Sequence, residues 1–242
     1  MDINELTREY VLTLEGEGLS EGERVKRNIH FVKMLLSENS PEMISYHYDL
    51  LKKREYKELY YDLRAAFMDR PQVEDFLVKK LTTETDPVAL GDILHSLGII
   101  GSTNAAPLAR QYINFNNDYQ REVALYVLGW VGNESDIAIL NEHLLNEVSS
   151  HLRITAASAH RQMYYRLPEL KNKLLSSLKK GYEEEKDDEV IAWIIVMIES
   201  IAVKRLGLRE DKEEPYIIHG DIQKAKVKTS MFINELNLNS EL

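Results

Sequence analysis

Two stretches of the chain share one frame. "LGIIGSTNAAPL" runs from Leu97 to Leu108 and "LGWVGNESDIAIL" from Leu128 to Leu140, so that Gly129 answers Gly98 and Gly132 answers Gly101, each 31 residues on. A fixed period of this length marks a supersecondary unit that cannot cover its own apolar face and must stack on copies of itself. The register extends. From Leu90, a helix carries Ile93, Leu94 and Leu97; from Arg121 the matching positions are Ala124, Leu125 and Leu128. From Arg153 they are Ala156, Ala157 and His160, and from Ile191 they are Ile194, Ile195 and Ile198. Upstream, 56–68 and 73–81 read as a further pair without the glycines.

Helix punctuation surrounds these segments. Ser20 with Glu23 three residues on forms a capping box. Ser40-Pro41 and Asp86-Pro87 place a cap before a proline at the first helical position, and Asn117 or Asp118 caps the next helix. In the helix after Ser20 the apolar residues Val25, Ile29, Val32 and Leu36 recur at helical spacing, with Phe31, Met34 and Leu35 widening the stripe. Gly98 and Gly129, each following a leucine, read as helix stops tolerant of positive φ. The tail is open. "REDKEEP", 209–215, reads as a solvated linker. Beyond it, Ala225, Val227, Thr229, Met231 and Ile233 alternate as in a strand after a Gly220-Asp221 turn, while Ile222, Ala225, Thr229, Phe232, Ile233 and Leu236 suit a helix equally.

"QREVALYVLGWVGNESDIAIL" (Gln120 to Leu140) resembles the "VRxxAAxALGxxG" pattern of HEAT-like repeats of the phycobilisome-lyase type. "HLRITAASAH" keeps its Arg and Ala positions but not its glycines. The resemblance implies an all-α fold, an α-solenoid of stacked HEAT-like helical hairpins with an irregular C-terminal tail, helix or short hairpin. The organisation expected is N-terminal capping helices over 1–54, repeats over 55–206, and linker and tail over 207–242.

Composition restricts the function. With 40 acidic and 30 basic side chains in 242 residues, the formal net charge is −10, which disfavours phosphate backbones and favours basic partners. The chain has no cysteine, which suits a reducing cytosol. The acid-rich start lacks the pattern of a secretory signal, and the longest apolar run, "VIAWIIVMI", is too short to span a bilayer. A soluble, cytoplasmic protein is expected.

Motifs for nucleotide, zinc or serine-hydrolase chemistry are missing, and "GEG" at 16–18 lacks the third glycine of a dinucleotide fingerprint. Deoxyhypusine hydroxylases, which share the scaffold, carry repeated His-Glu dipeptides; this chain has none, only the reversed Glu142-His143. HEAT-like alkylpurine DNA glycosylases need a basic concave surface, and nothing speaks for the tetrapyrrole site of a bilin lyase. No cofactor or metal is therefore expected. In such solenoids the second helix of each unit lines the concave face. Arg110, Gln111 and Asn114 on one second helix, and Asn141, Glu142 and His143 on the next, would form rungs of a ladder. The acidic run from Tyr182 to Glu189 adds Glu183, Glu184, Glu185, Asp187 and Asp188 as a docking site for Lys and Arg, and Trp130 adds an aromatic anchor. The expectation is a non-catalytic protein-binding solenoid resembling bacterial immunity proteins, one that neutralises a basic nuclease-type toxin. The alternatives are the glycosylase or a general assembly scaffold.

Overall fold

In the computed structural model, which describes residues 2–15, 18–54, 57–214 and 216–236, helices start where the cap residues place them. The Ser20 backbone N–H donates to the Glu23 carboxylate (2.9 Å), Ser40 accepts from the Met43 N–H, Asp86 from Val88 and Asn117 from Gln120. Of the sequence features noted above, Gly16 and Glu17 of "GEG", residues 55–56, Pro215 and 237–242 lie outside the described residues. The chain divides into two compact units, one ending at Glu84 and the other starting at Thr85.

The first unit holds α1 (Ile3–Leu14), α2 (Glu21–Leu36), α3 (Pro41–Lys53), α4 (Lys57–Met68) and α5 (Val73–Lys80). Its core gathers Leu6, Tyr10, Phe31, Leu35, Met43, Leu50, Leu59 and Leu63. The buried face of α2 is not the stripe the spacing suggests. Asn28, Phe31 and Leu35 are buried, whereas Val25 and Ile29 remain 50% and 48% exposed. The large Phe31 sets the helix rotation, because its ring packs on Tyr10 of α1 (centroids 5.7 Å apart). Beneath this core lies a buried cation. Arg70 donates from Nη2 to the Leu35 carbonyl (2.7 Å), from Nη1 to the Glu38 carbonyl (2.9 Å) and the Asn39 side chain (2.7 Å), and from Nε to Nδ1 of His47 (3.1 Å). The guanidinium thus closes the C-terminal end of α2, where free carbonyls and the helix dipole favour positive charge. His47 passes the chain on through Nε2 to the Leu63 carbonyl (2.9 Å), and burial, reinforced by Arg70, lowers its pKa to about 3.

The second unit holds α6 (Pro87–Ile99), α7 (Ala105–Tyr112), α8 (Asp118–Val131), α9 (Ile137–Asn146), α10 (Ser150–Arg166), α11 (Lys171–Glu184) and α12 (Asp188–Ala202). A two-stranded ribbon, β1 (Leu208–Glu210) and β2 (Ile218–Gly220), and then α13 (Ile222–Glu235) complete it. The first helices α6, α8, α10 and α12 pack side by side, and α7, α9 and α11 each pack on the first helix that follows. The register read from Leu90, Arg121, Arg153 and Ile191 points inward throughout: Ile93, Leu94, Leu97, Ala124, Leu125, Leu128, Ala156, Ala157, His160, Ile194, Ile195 and Ile198 are fully buried. This is a HEAT-like α-solenoid with a short C-terminal tail.

The paired glycines do something other than stop helices. Gly98 lies inside α6 and Gly129 inside α8. A Cβ on Gly98 would sit 2.7 Å from Cγ2 of Val127, and one on Gly129 would sit 3.0 Å from the backbone of Ala159 on α10. These are the points where one first helix crosses the next, and any side chain larger than hydrogen would force the neighbours apart. The turns fall two or three residues later. Gly101 takes the left-handed conformation (φ +68°), with the Ser102 N–H bonded to the Leu97 carbonyl, while Gly132 is extended.

The tail contains a helix where the helical spacing places it, and a ribbon at other positions than the alternating residues suggest. "REDKEEP" begins in β1, which pairs antiparallel with β2 in the register Leu208↔Gly220, Arg209↔His219 and Glu210↔Ile218. Asp211 accepts the N–H groups of Glu213 and Glu214 in the connecting turn and a bond from His219 Nε2. Gly220 ends β2 at φ +132°, and Asp221 caps α13 by accepting the Lys224 N–H. The alternating residues belong to that helix, which buries Ala225, Thr229 and Ile233 at a spacing of four.

Candidate partner-binding surface

Which polar groups remain for a partner depends on which ones the repeats consume. Arg121 and Arg153, the shared register origin, each fasten one junction. Arg121 donates to the Phe115 carbonyl ahead of its own helix (2.9 Å) and to Glu147 at the end of α9 (2.9 and 3.2 Å). Arg153 repeats the pattern with the Glu147 and Val148 carbonyls and with Glu185 at the end of α11 (2.6 and 3.4 Å). Burial alone would raise the Glu147 carboxyl, but hydrogen bonds from His143 and Arg121, with their charges, outweigh it and hold it below its ordinary pKa. Glu185 is lowered in the same way by the Asp187 N–H, Arg153 and the Lys186 N–H, against desolvation.

The expected ladder divides into engaged and free positions. Arg110 makes a bidentate pair with the fully buried Asp136 (2.7 and 2.9 Å), tying α7 to the turn before α9. Asn141 is bonded to Ser177 of α11 (2.9 Å), and Ser177 to His160 Nε2 (2.7 Å). Nδ1 of His160 meets the Ala156 carbonyl at 2.8 Å, and total burial lowers the ring to about 4, so it is neutral at pH 7. The Ser177 hydroxyl, 2.7 Å from Nε2, donates to Oδ1 of Asn141 (2.9 Å). His143 is held by Glu147 (2.9 Å). Gln111, Asn114 and Glu142 are exposed.

The acidic run divides in the same manner. Glu185 serves Arg153, Asp187 caps α12 through the Glu189 N–H, and Asp188 pairs with Lys226 of α13. Glu183 and Glu184 stay exposed, with Glu183 3.9 Å from Lys179. Trp130 sits apart from these residues, between first helices. It stacks on Tyr126 (5.9 Å, 17°) and meets His95 of α6 edge-on (5.2 Å, 64°). Among the described residues no group of His, Cys, Asp and Glu could hold a metal ion, and no helix is long and apolar enough to cross a membrane.

Sequence reasoning passed over a second surface, around the ribbon. Lys204, Arg205 and Arg209 are exposed there beside Tyr165 and Val203. The signal was present as "VKRLGLR", three cations in a short stretch of an acidic chain.

A family model described as HEAT repeats matches residues 74–161, from α5 into α10. No curated protein matches the chain. HEAT repeats point to a role in protein interaction or scaffolding.

Proposed function

We propose that this chain is a non-catalytic solenoid that binds a basic protein, acting as an immunity protein that neutralises a nuclease-type toxin. The observation that carries the reading is the division of the polar groups. The carboxylates of Asp136, Glu147 and Glu185 lock the repeats, while Glu142 on α9 and Glu183 and Glu184 at the end of α11 stay in water on neighbouring second helices. In a chain of net charge −10 these exposed carboxylates favour lysine and arginine on a partner and repel the nucleic acid such a toxin would cut. Electrostatic steering then raises the association rate above the neutral range of about 10⁵–10⁶ M⁻¹s⁻¹.

The test is capture of the partner from the native cell, followed by stopped-flow association across a salt series. The reading requires the association rate to fall with salt, and Glu142→Lys/Glu183→Lys/Glu184→Lys to slow association by roughly tenfold with little change in dissociation. A salt-independent rate, or release of modified bases from alkylated DNA by the purified chain, would overturn it.

A further inference from the structure

We infer that the surface around the β1–β2 ribbon is a second docking site, one that takes an acidic peptide segment carrying an apolar side chain.

Two grooves, of about 440 and 550 Å³, lie on either side of β1 and share Glu199, Arg205, Leu208 and Arg209. Of the two carboxylates lining these grooves, Glu210 is neutralised by Arg161, and Glu199 keeps its charge with one oxygen turned onto backbone N–H groups. Glu199 accepts the backbone N–H groups of Leu206 and Gly207 (2.6 Å for Gly207), and Glu210 is held bidentate by Arg161 (2.7 and 3.0 Å). Lys204, Arg205 and Arg209 are left exposed, and no ion pair engages them among the described residues. Three cations thus face one unneutralised carboxylate in these grooves, a net positive patch on a negative molecule, and a local field of this kind selects carboxylates.

The apolar part of the patch is the second, independent observation. Val203 ends α12 in the left-handed conformation (φ 56°, ψ 45°), where a β-branched residue is strained and glycine or asparagine would be at ease. Its side chain is 81% exposed, so core burial does not offset the strain. Tyr165, 63% exposed, lines the same groove, with Val196 and Leu208. An exposed valine and tyrosine flanked by free cations match a short acidic segment with an apolar anchor. A nucleic acid would bring phosphates but no aliphatic group for Val203, and its length would carry it across the negative surface beyond.

The probe is a fluorescein-labelled peptide of about a dozen residues, mainly Glu and Asp with two Phe, titrated into the full chain at low salt and read by anisotropy. Saturable binding is expected. It should weaken by about tenfold or more in Lys204→Glu/Arg205→Glu/Arg209→Glu, in line with three lost surface charge pairs. Val203→Gly should weaken the peptide while raising the thermal midpoint, a combination that a purely structural role for Val203 cannot give. If charge reversal prevents folding, Arg205→Gln/Arg209→Gln replaces it with the same expected direction. Absence of saturable binding, equal binding by the triple variant, or equal binding of an oligothymidylate of the same length would each overturn the proposal. The site is independent of the toxin reading, because the probe contains no toxin.

Discussion

Replacing Gly129 with alanine separates two physical effects that usually act together. Alanine is the better helix former, and on propensity alone the change inside α8 stabilises by about 1 kcal/mol. The new Cβ, however, would stand 3.0 Å from both Cα and the carbonyl oxygen of Ala159, and 3.2 Å from its Cβ. Optimal carbon contacts lie near 3.5–4.0 Å, so α8 and α10 must separate by roughly half an ångström. The obstacle is backbone and cannot rotate away. Overpacking of this kind costs about 1–3 kcal/mol, so the net expectation is a loss of about 1 kcal/mol. Both tryptophans, Trp130 and Trp193, lie in the second unit, so denaturant unfolding followed by tryptophan fluorescence reports on that unit alone. Ala138→Gly, at an exposed position of α9, provides the reference: it removes propensity without touching a crossing and should lose about 0.5–1 kcal/mol. Two opposite substitutions should therefore both lower the midpoint. A rise for Gly129→Ala would show that the first helices are not in the contact described, and the role assigned to the paired glycines would fall.

Acidification should destabilise each unit in a window set by its buried histidine. The folded values, about 4 for His160 and about 3 for His47, lie below the ordinary 6.5, so below pH 6.5 the unfolded chain takes up protons that the folded chain refuses. Stability is full above about pH 6.5 and falls as pH drops toward those folded values, by up to about 1.4 kcal/mol per pH unit for each histidine. Glu147 and Glu185, also lowered, act only below the carboxylate range, so the window from pH 6.5 to 4.5 belongs to the histidines. His160→Gln should flatten the tryptophan-monitored slope there, and an unchanged slope would refute the neutral, buried assignment. Thr229→Val should stabilise by about 1 kcal/mol in a thermal melt, because the buried Thr229 hydroxyl meets no partner among the described residues. Arg70→Met should cost about 3 kcal/mol or more, since it strands the Leu35 and Glu38 carbonyls and the His47 acceptor in the core. Faster hydrogen exchange across the end of α2 is the corresponding readout, and wild-type protection would count against the cap.

The helices and the inward positions of the repeats were legible because both depend on spacing within one segment, whereas the face of α2 was set by Phe31 packing on Tyr10 of another helix. The purpose of Gly98 and Gly129 was not. Period alone cannot separate a glycine needed for positive φ from one needed for close approach, and the deciding atoms, Val127 and Ala159, sit about one repeat away. The same limit governs the surface. Asn141, Arg110 and Glu185 look as available in the sequence as Gln111 and Glu142, yet Ser177, Asp136 and Arg153 engage them from other helices. The cations around β1 were hidden for the converse reason. "VKRLGLRE" ends in an acid, and only the tertiary structure reveals that Glu210 is committed to Arg161.

Arg121 and Arg153 have a consequence for how such an array changes length. Each grips the loop that delivers its own helix and the carboxylate closing the next second helix, and Glu147 links the two junctions, its carboxylate held by Arg121 and its carbonyl by Arg153. A duplicated copy of residues 121–152 would arrive with its anchor arginine, a loop to grip and the acid that closes the following junction. Lengthening by whole modules needs no newly invented contact, whereas inserting half a module would leave one arginine and one carboxylate stranded at the seam.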